Sequence, residues 1–189
     1  MAQNDHDTAL LVMDMQAAIV AGLPGASEAV ENVAKAIAFA RSMNIPVIYV
    51  TVGFRAGFPE ISPNNKSFTA FKDTLSGTKP EEFTAIEASL APRPGEVIVT
   101  KRRISAFTGS DLEVILRAQG IQHIVLSGIA TSGVVLSTLR EAADKDYRIT
   151  VLADCCADRD EEVHRVLVTK IFLRQASVLT AAEWTNSAN

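Results

Sequence analysis

The sequence predicts a single doubly wound, Rossmann-like α/β domain, a parallel sheet with helices packed on both faces. Three observations carry this expectation. Short β-branched apolar runs alternate with segments of helical spacing along the chain. Of the 189 residues, 48% are apolar, which is enough for a substantial core and too many for a disordered chain. Finally, apolar runs end abruptly at Asp14, near Lys101 and in Gly128-Ile129-Ala130-Thr131-Ser132-Gly133-Val134-Val135, which reads as a strand turning into a helix. In an open α/β sheet such strand ends face the ligand crevice.

Thr8 to Met13 is apolar and closed by an acidic residue, as a buried first strand would be. Ala26 to Met43 has helical spacing, with Val30, Val33, Ile37 and Phe39 or Ala40 on one stripe and Ser27 as a cap. Ile45 to Val52 is β-branched, and Pro46 suits only the first residues of a strand. Gly53 to Pro80, rich in Gly, Pro, Ser and Asn, is expected to be irregular, and a loop of that length is usually functional or a lid. Glu81 to Leu90 reads as a short helix stopped by Pro92, Pro94 and Gly95, and Glu96 to Thr100 as a third strand. Ser110 to Gln119 is a helix ended by Gly120, His123 to Ser127 a fourth strand, and Thr131 to Asp146 a helix. Arg148 to Ala153, Asp160 to Phe172 and Ala176 to Leu179 complete the pattern as strand, helix and strand. No repeat, low-complexity tract or linker divides residues 1–189.

A formal charge of −4 supplies no footprint for nucleic acid or an anionic membrane, although Lys101-Arg102-Arg103 is a local basic cluster. The apolar runs are too short to span a bilayer. Met1-Ala2-Gln3-Asn4-Asp5-His6-Asp7 is acidic and lacks the cationic start of a signal peptide. Two adjacent cysteines, Cys155 and Cys156, make no disulfide framework, and a cytoplasmic location is the simplest expectation. His6, His123 and His164 are scattered without metal-ligand spacing, so no metal is expected.

Three segments together resemble the isochorismatase-like hydrolase family, whose amidase members are cysteine hydrolases. They are Leu10-Leu11-Val12-Met13-Asp14-Met15-Gln16, Val99-Thr100-Lys101-Arg102-Arg103, and the strand-to-helix run, in order and in register over roughly residues 8 to 183. In the amidases the resemblance implies an Asp, Lys, Cys triad. Asp14 and Lys101 match its first two positions, and Val134 stands where the Cys would be. It further implies a cis peptide near Ile129-Ala130. Some nicotinamidase-like members carry metal-binding Asp and His after the second strand; Gly53-Phe54-Arg55 stands there, so neither metal nor other cofactor is implied.

Asp14, between Met13 and Met15, is expected to be partly desolvated, with the raised pKa that suits acid/base work; a strand-end cap is the plainer reading. Lys101 can hold that carboxyl or be a solvated strand-end lysine, with Arg102 and Arg103 as competitors. Gln16 is expected to be structural. Phe107 walls a substrate or packs in the core. Ile129, Ala130, Thr131, Gly133 and Val134 form a helix start whose free N–H groups suit a substrate carboxylate or an oxyanion. Thr131 and Ser132 have no histidine nearby in sequence to activate them, and an N-cap explains both. Arg55 pairs with a substrate carboxylate through its planar fork, or is an exposed loop residue, with Lys66 the weaker candidate.

Three functions follow, each on a small-molecule substrate or ligand. The first is hydrolysis of an isochorismate-type enol ether, with Asp14 protonating the enolpyruvyl methylene and water attacking next, giving pyruvate and a dihydroxy-dihydrobenzoate. Lys101 would orient Asp14, and Arg55 with the helix start would hold carboxylate. The second is an amide or ester hydrolase using Cys155 or Cys156 as nucleophile, the plainer reading being two small residues in a tight turn. The third is a binding protein that keeps the fold without the chemistry. Val135, Leu139 and Ala143 form an apolar stripe that suggests a subunit contact, and the resemblance implies a homodimer or larger homo-oligomer.

Overall fold

The computed structural model describes residues 7–75 and 77–187. Most of the N-terminal segment read above for a signal peptide, His6 included, lies outside them. Six strands form one parallel sheet: β1 (Thr8–Met13), β2 (Val47–Val52), β3 (Val97–Lys101), β4 (His123–Ile129), β5 (Arg148–Ala157) and β6 (Ser177–Leu179). Their order is β3-β2-β1-β4-β5-β6. The winding reverses between β1 and β4, which places the topological switch point, and so the ligand crevice, at their carboxyl ends.

Burial on both sheet faces explains why the strands are continuous apolar runs rather than alternating ones. In β1, Leu10 and Val12 point to one face, where they meet Val30, Val33 and Ile37 of α2 (Ala26–Ser42). Ala9, Leu11 and Met13 point to the other, against Leu112 and Leu116 of α5 (Leu112–Ala118) and Leu139 of α6 (Leu136–Asp144). Each fully buried aliphatic side chain contributes about 1.5–3 kcal/mol. The stripe of Val135, Leu139 and Ala143 is therefore not free for a subunit contact: Val135 and Leu139 are fully buried in this core, and Ala143 packs against it.

The segment expected to be irregular between Gly53 and Pro80 contains a helix, α3 (Lys66–Leu75). Asn65 starts it by accepting the Phe68 N–H at 3.1 Å, and Phe68 and Leu75 fall on its buried face. These residues join Val52, Phe54 and Phe83 in a separate apolar cluster over the sheet edge. Two short helices also frame the crevice, α1 (Ala17–Ala21) and α4 (Pro80–Phe83), the latter much shorter than the helix expected over Glu81 to Leu90. After the sheet come α7 (Glu161–Val166), begun by the Asp160 side chain, and α8 (Ala181–Asn186), closed at its start by a Thr180–Glu183 capping box. No helix among the described residues is long and apolar enough to cross a membrane.

β5 runs four residues further than its apolar run suggested. Its pairing with β4 slips, Leu126 facing Val151 and Gly128 facing Cys156, so β5 bulges around Asp154 and then resumes. Asp154 anchors that bulge by accepting the Ala181 N–H at 2.8 Å and, through its carbonyl, the Asn32 amide at 3.2 Å. Gly128 permits the closest approach of the two switch-point strands: a Cβ there would lie 2.4 Å from the Met13 carbonyl oxygen, at φ +153°. Gly128→Ala is expected to lower unfolding stability by about 1–3 kcal/mol, as overpacking does, and denaturant titration measures it. An unchanged midpoint would contradict this packing.

Candidate active site

The site is assembled from three strand ends. β1 finishes in Asp14, whose backbone is left-handed (φ 53°), a conformation aspartate tolerates better than most residues. Lys101 ends β3, two strands away, and strand spacing puts β3 about 10 Å from β1. Only a long side chain bridges that gap. The Lys101 ammonium reaches the Asp14 Oδ2 at 2.9 Å and also donates to the carbonyls of Arg103 (3.0 Å) and Ile104 (2.9 Å). Three donors thus meet three protein acceptors, so Lys101 is a fixed charge whose donors are spent on the protein. Both side chains are buried.

Asp14 Oδ2 is spent on Lys101; Oδ1 is buried and has no hydrogen-bond partner. Burial pushes the Asp14 carboxyl up, the adjacent ammonium pulls it part of the way back, and the balance leaves it at about 6. Gln16 clamps the same strand ends: its amide N–H donates to the carbonyls of Val52 (3.1 Å) and Phe83 (2.6 Å), and its carbonyl accepts the Val52 N–H (2.7 Å). That is the structural role expected of it.

The third strand end is the run after β4. The Ile129–Ala130 peptide is cis. Gly133 and Val135 both donate to the Ala130 carbonyl, at 3.0 and 3.3 Å, so Thr131–Val135 forms one wide turn before α6. Such widened turns recur at functional sites. Asp14, Lys101, Ala130, Gly133 and Val134 line one open cavity of 260 Å³, together with Phe68 and Phe71 of α3. A second cavity, of 480 Å³, opens beyond Ala130 and is lined by Ile129, Ser132, Asp158 and Arg159 among others. Ile19, Phe71 and Ala130 line both, making them two lobes of one cleft.

Several expected site residues lie elsewhere. Phe107 is buried in the core, stacked on Tyr147 at 5.9 Å, because Ala106 is pinned to the Thr138 hydroxyl and the chain turns inward there. Arg55, mostly exposed, pairs with Glu60 at 2.6 Å and lines, with Phe54 and Phe58, a third cavity that shares Leu75, Thr78 and Phe83 with the second lobe and does not reach Asp14. The Thr131 side chain is fully buried and bonds His164 Nδ1 at 2.8 Å, so a histidine distant in sequence does meet it, away from the Asp14 lobe. At the helix start the Ser132 N–H is taken at 2.7 Å by the Asp158 carboxylate, so an internal anion occupies part of the place expected for a substrate's.

Cys155 and Cys156 are not on the ligand edge. They sit within β5 and point into opposite apolar cores, where burial pushes both thiols up, Cys156 to about 12. Such thiols are poor nucleophiles. His123 is likewise structural, buried between the hydroxyls of Thr8 and Thr150. Among the described residues no group of three or more His, Cys, Asp or Glu could hold a metal ion. Among the lining residues not foreseen are Ile19, Ser67, Phe68, Phe71, Ile104, Asp158 and Arg159. The spacing of Phe68, Phe71 and Leu75 after Asn65 was a signal for the helix that carries three of them.

A buried carboxyl paired with a lysine thus lies at the switch point of an α/β parallel sheet. The chain belongs to the isochorismatase family: the isochorismatase domain matches residues 8–183, and its relatives are hydrolases. It is 34% identical to the ureidoacrylate amidohydrolase RutB of Variovorax paradoxus (strain S110), over 82% of this chain and 70% of that one. It is 33% identical to the isochorismatase family protein YecD of Escherichia coli O157:H7, over 97% of each. The structure of an isochorismatase family protein from Burkholderia thailandensis superimposes with a TM-score of 0.85 at 30% identity, covering 97% of this chain and 96% of that one.

Because no sulfur lines either lobe, iodoacetamide is expected to leave the native chain unlabelled. Val134→Cys should place a thiol at a helix start facing the Lys101 charge, a setting that lowers a thiol pKa. It should be alkylated faster than free cysteine, with stability reduced by less than about 1.5 kcal/mol. Labelling no faster than free cysteine would contradict the geometry described for this lobe.

Proposed function

We propose that this chain hydrolyses a small enol ether of a carboxylic acid, with Asp14 as general acid and no covalent enzyme intermediate. One observation carries the reading. The reactive lobe holds a carboxyl with a pKa at about 6 and an unpartnered oxygen, and where a thiol would stand it has Val134. Vinyl ether hydrolysis needs a proton donor and water, and no nucleophile from the protein.

In this reading protonated Asp14 gives its proton to the terminal vinyl carbon, leaving an oxocarbenium ion beside the new carboxylate. Water adds to that ion and returns a proton to Asp14. The hemiketal then collapses to a ketone and an alcohol, for an isochorismate-type substrate pyruvate and a dihydroxy-dihydrobenzoate. Lys101 acts as a positioning residue. Its charge keeps the Asp14 carboxylate stable once the proton has left and stops burial from raising the pKa beyond useful acidity. Val134, Phe68 and Phe71 give the lobe apolar walls.

The amidohydrolase name of the Variovorax relative favours a second reading, hydrolysis of an amide bond, with ionised Asp14 as base to the attacking water. The two readings need opposite protonation states. As general acid, Asp14 must carry its proton, so kcat/KM should be flat below pH 6 and fall tenfold per pH unit above it. As general base it must be ionised, and kcat/KM should rise to a plateau above pH 6. Assay of isochorismate beside nicotinamide and other small amides identifies the bond cleaved, and the limb of the pH profile identifies the role. Asp14→Asn is expected to cost about 10²–10⁴-fold in turnover. A variant as active as the parent would overturn both readings, and ligand binding with no turnover in the parent would leave a binding protein.

A further inference from the structure

The helix that lines the reactive lobe also packs against the walls of a second space. The third cavity, of 210 Å³, has a floor of Phe54, Leu75 and Phe83, all buried, and an exposed rim that includes Ala56 and Pro80. Two of these floor residues meet the phenylalanines of α3 edge-on. The Phe54 and Phe68 rings lie 5.4 Å apart between centroids, and the Phe83 and Phe71 rings 5.3 Å apart. Phe68 and Phe71 in turn line the lobe that holds Asp14. The cavity stops short of Asp14, yet its floor braces the apolar lining around that carboxyl. Among the described residues only Arg55 and Thr78 bring polar side chains to the cavity, both exposed, and Arg55 pairs with Glu60.

We propose that the third cavity is a binding site for an uncharged single-ring aromatic compound, and that its occupancy is transmitted to the reactive lobe through the Phe54–Phe68 and Phe83–Phe71 contacts. The size fits, since an apolar cavity of about 150 Å³ accommodates a benzene ring. So does the chemistry. The floor offers no polar side chain to replace the hydration of a charged group, whereas an aromatic ring gains dispersion contact with Leu75 and edge-to-face contact with Phe54 and Phe83. A ligand shifts an equilibrium only by its differential affinity for the two states. A ring on this floor favours the placement of Phe54 and Phe83 that forms it, and that placement is the one that sets Phe68 and Phe71 against Asp14. The assignment is independent of the bond that the chain cleaves and of whether Asp14 acts as acid or base.

Toluene is the probe, titrated at pH 7.5 into the parent chain, Ala56→Phe and Ala18→Phe and followed by ligand-observed NMR. Ala56 lines the third cavity and neither lobe, Ala18 lines the second lobe and not the third cavity, and both are exposed, so each substitution fills one space without entering the core. Toluene affinity is expected to fall at least tenfold in Ala56→Phe and to change less than twofold in Ala18→Phe. The opposite pattern, or no binding in the parent, overturns the site. Intermolecular NOEs in the parent decide the same point without a substitution: toluene should contact Phe58, which lines the third cavity alone, and not Ala18. Benzylamine, the same ring with a positive charge, should bind at least tenfold more weakly, and equal affinity would contradict the ligand class. The link to the reactive lobe is read at the Val134 methyl groups, which line that lobe and not the third cavity. Their carbon-13 resonances should shift on saturation with toluene in the parent and stay in place in Ala56→Phe; resonances unmoved in the parent overturn the link.

Discussion

The structure around the cleft depends on a single contact, the 2.9 Å ion pair between Asp14 and Lys101. Two buried opposite charges cost several kcal/mol each to desolvate, and removing either partner alone from such a pair typically costs about 3–5 kcal/mol. The fold meets that cost with geometry. The sheet order brings the ends of β1 and β3 within reach of one lysine stem, and the chain after β3 turns so that the Arg103 and Ile104 carbonyls receive the other two ammonium protons. The carboxylate is satisfied on one oxygen only. In the proposed mechanism that asymmetry is what matters, because the unpartnered Oδ1 is the atom on which the proton resides.

The surrounding elements isolate that oxygen. Gly128 lets the switch-point strands close together, and the wide turn at Thr131–Val135 brings Gly133 and Val134 to the cavity instead of continuing a regular helix. Thr131 and His164 tie this turn to α7, and Gln16 ties the end of β1 to β2 and α4. The phenylalanines of α3 line the site, with Phe71 shared between the two lobes. The thiols are removed from contention by the same packing, since β5 carries Cys155 and Cys156 into opposite cores.

Much of this was legible in the sequence, and what was missed has physical causes. Strands buried on both faces announce themselves as continuous apolar runs, so all six were expected with small errors at their ends. Asp14 and Lys101 each end such a run at the edge where ligands bind, but position alone did not separate them from a cap and a solvated strand-end lysine; the resemblance to the family's first two triad positions did. The end of β5 was misjudged because Asp154 reads as a terminus, whereas its carboxylate and carbonyl stabilise a bulge after which pairing resumes. α3 was hidden by the glycine- and proline-rich segment before it, although Asn65 and the spacing of Phe68, Phe71 and Leu75 marked it. Phe107 went to the core, the plainer of its two readings, because its partner Tyr147 is chosen by tertiary packing, which local pattern does not encode.

The central claim is that burial and Lys101 together set the Asp14 carboxyl at about 6. Carbon-13 NMR of the chain labelled at its aspartate carboxyls measures this directly, with Asp14→Asn identifying the resonance and Lys101→Met removing the charge. The Asp14 signal should titrate at about 6 in the parent, and move upward in Lys101→Met, because desolvation is then unopposed. At pH 5 that variant should remain folded, since its buried carboxyl is neutral. An Asp14 titration near 3.8, or one that Lys101→Met leaves in place, would contradict the account.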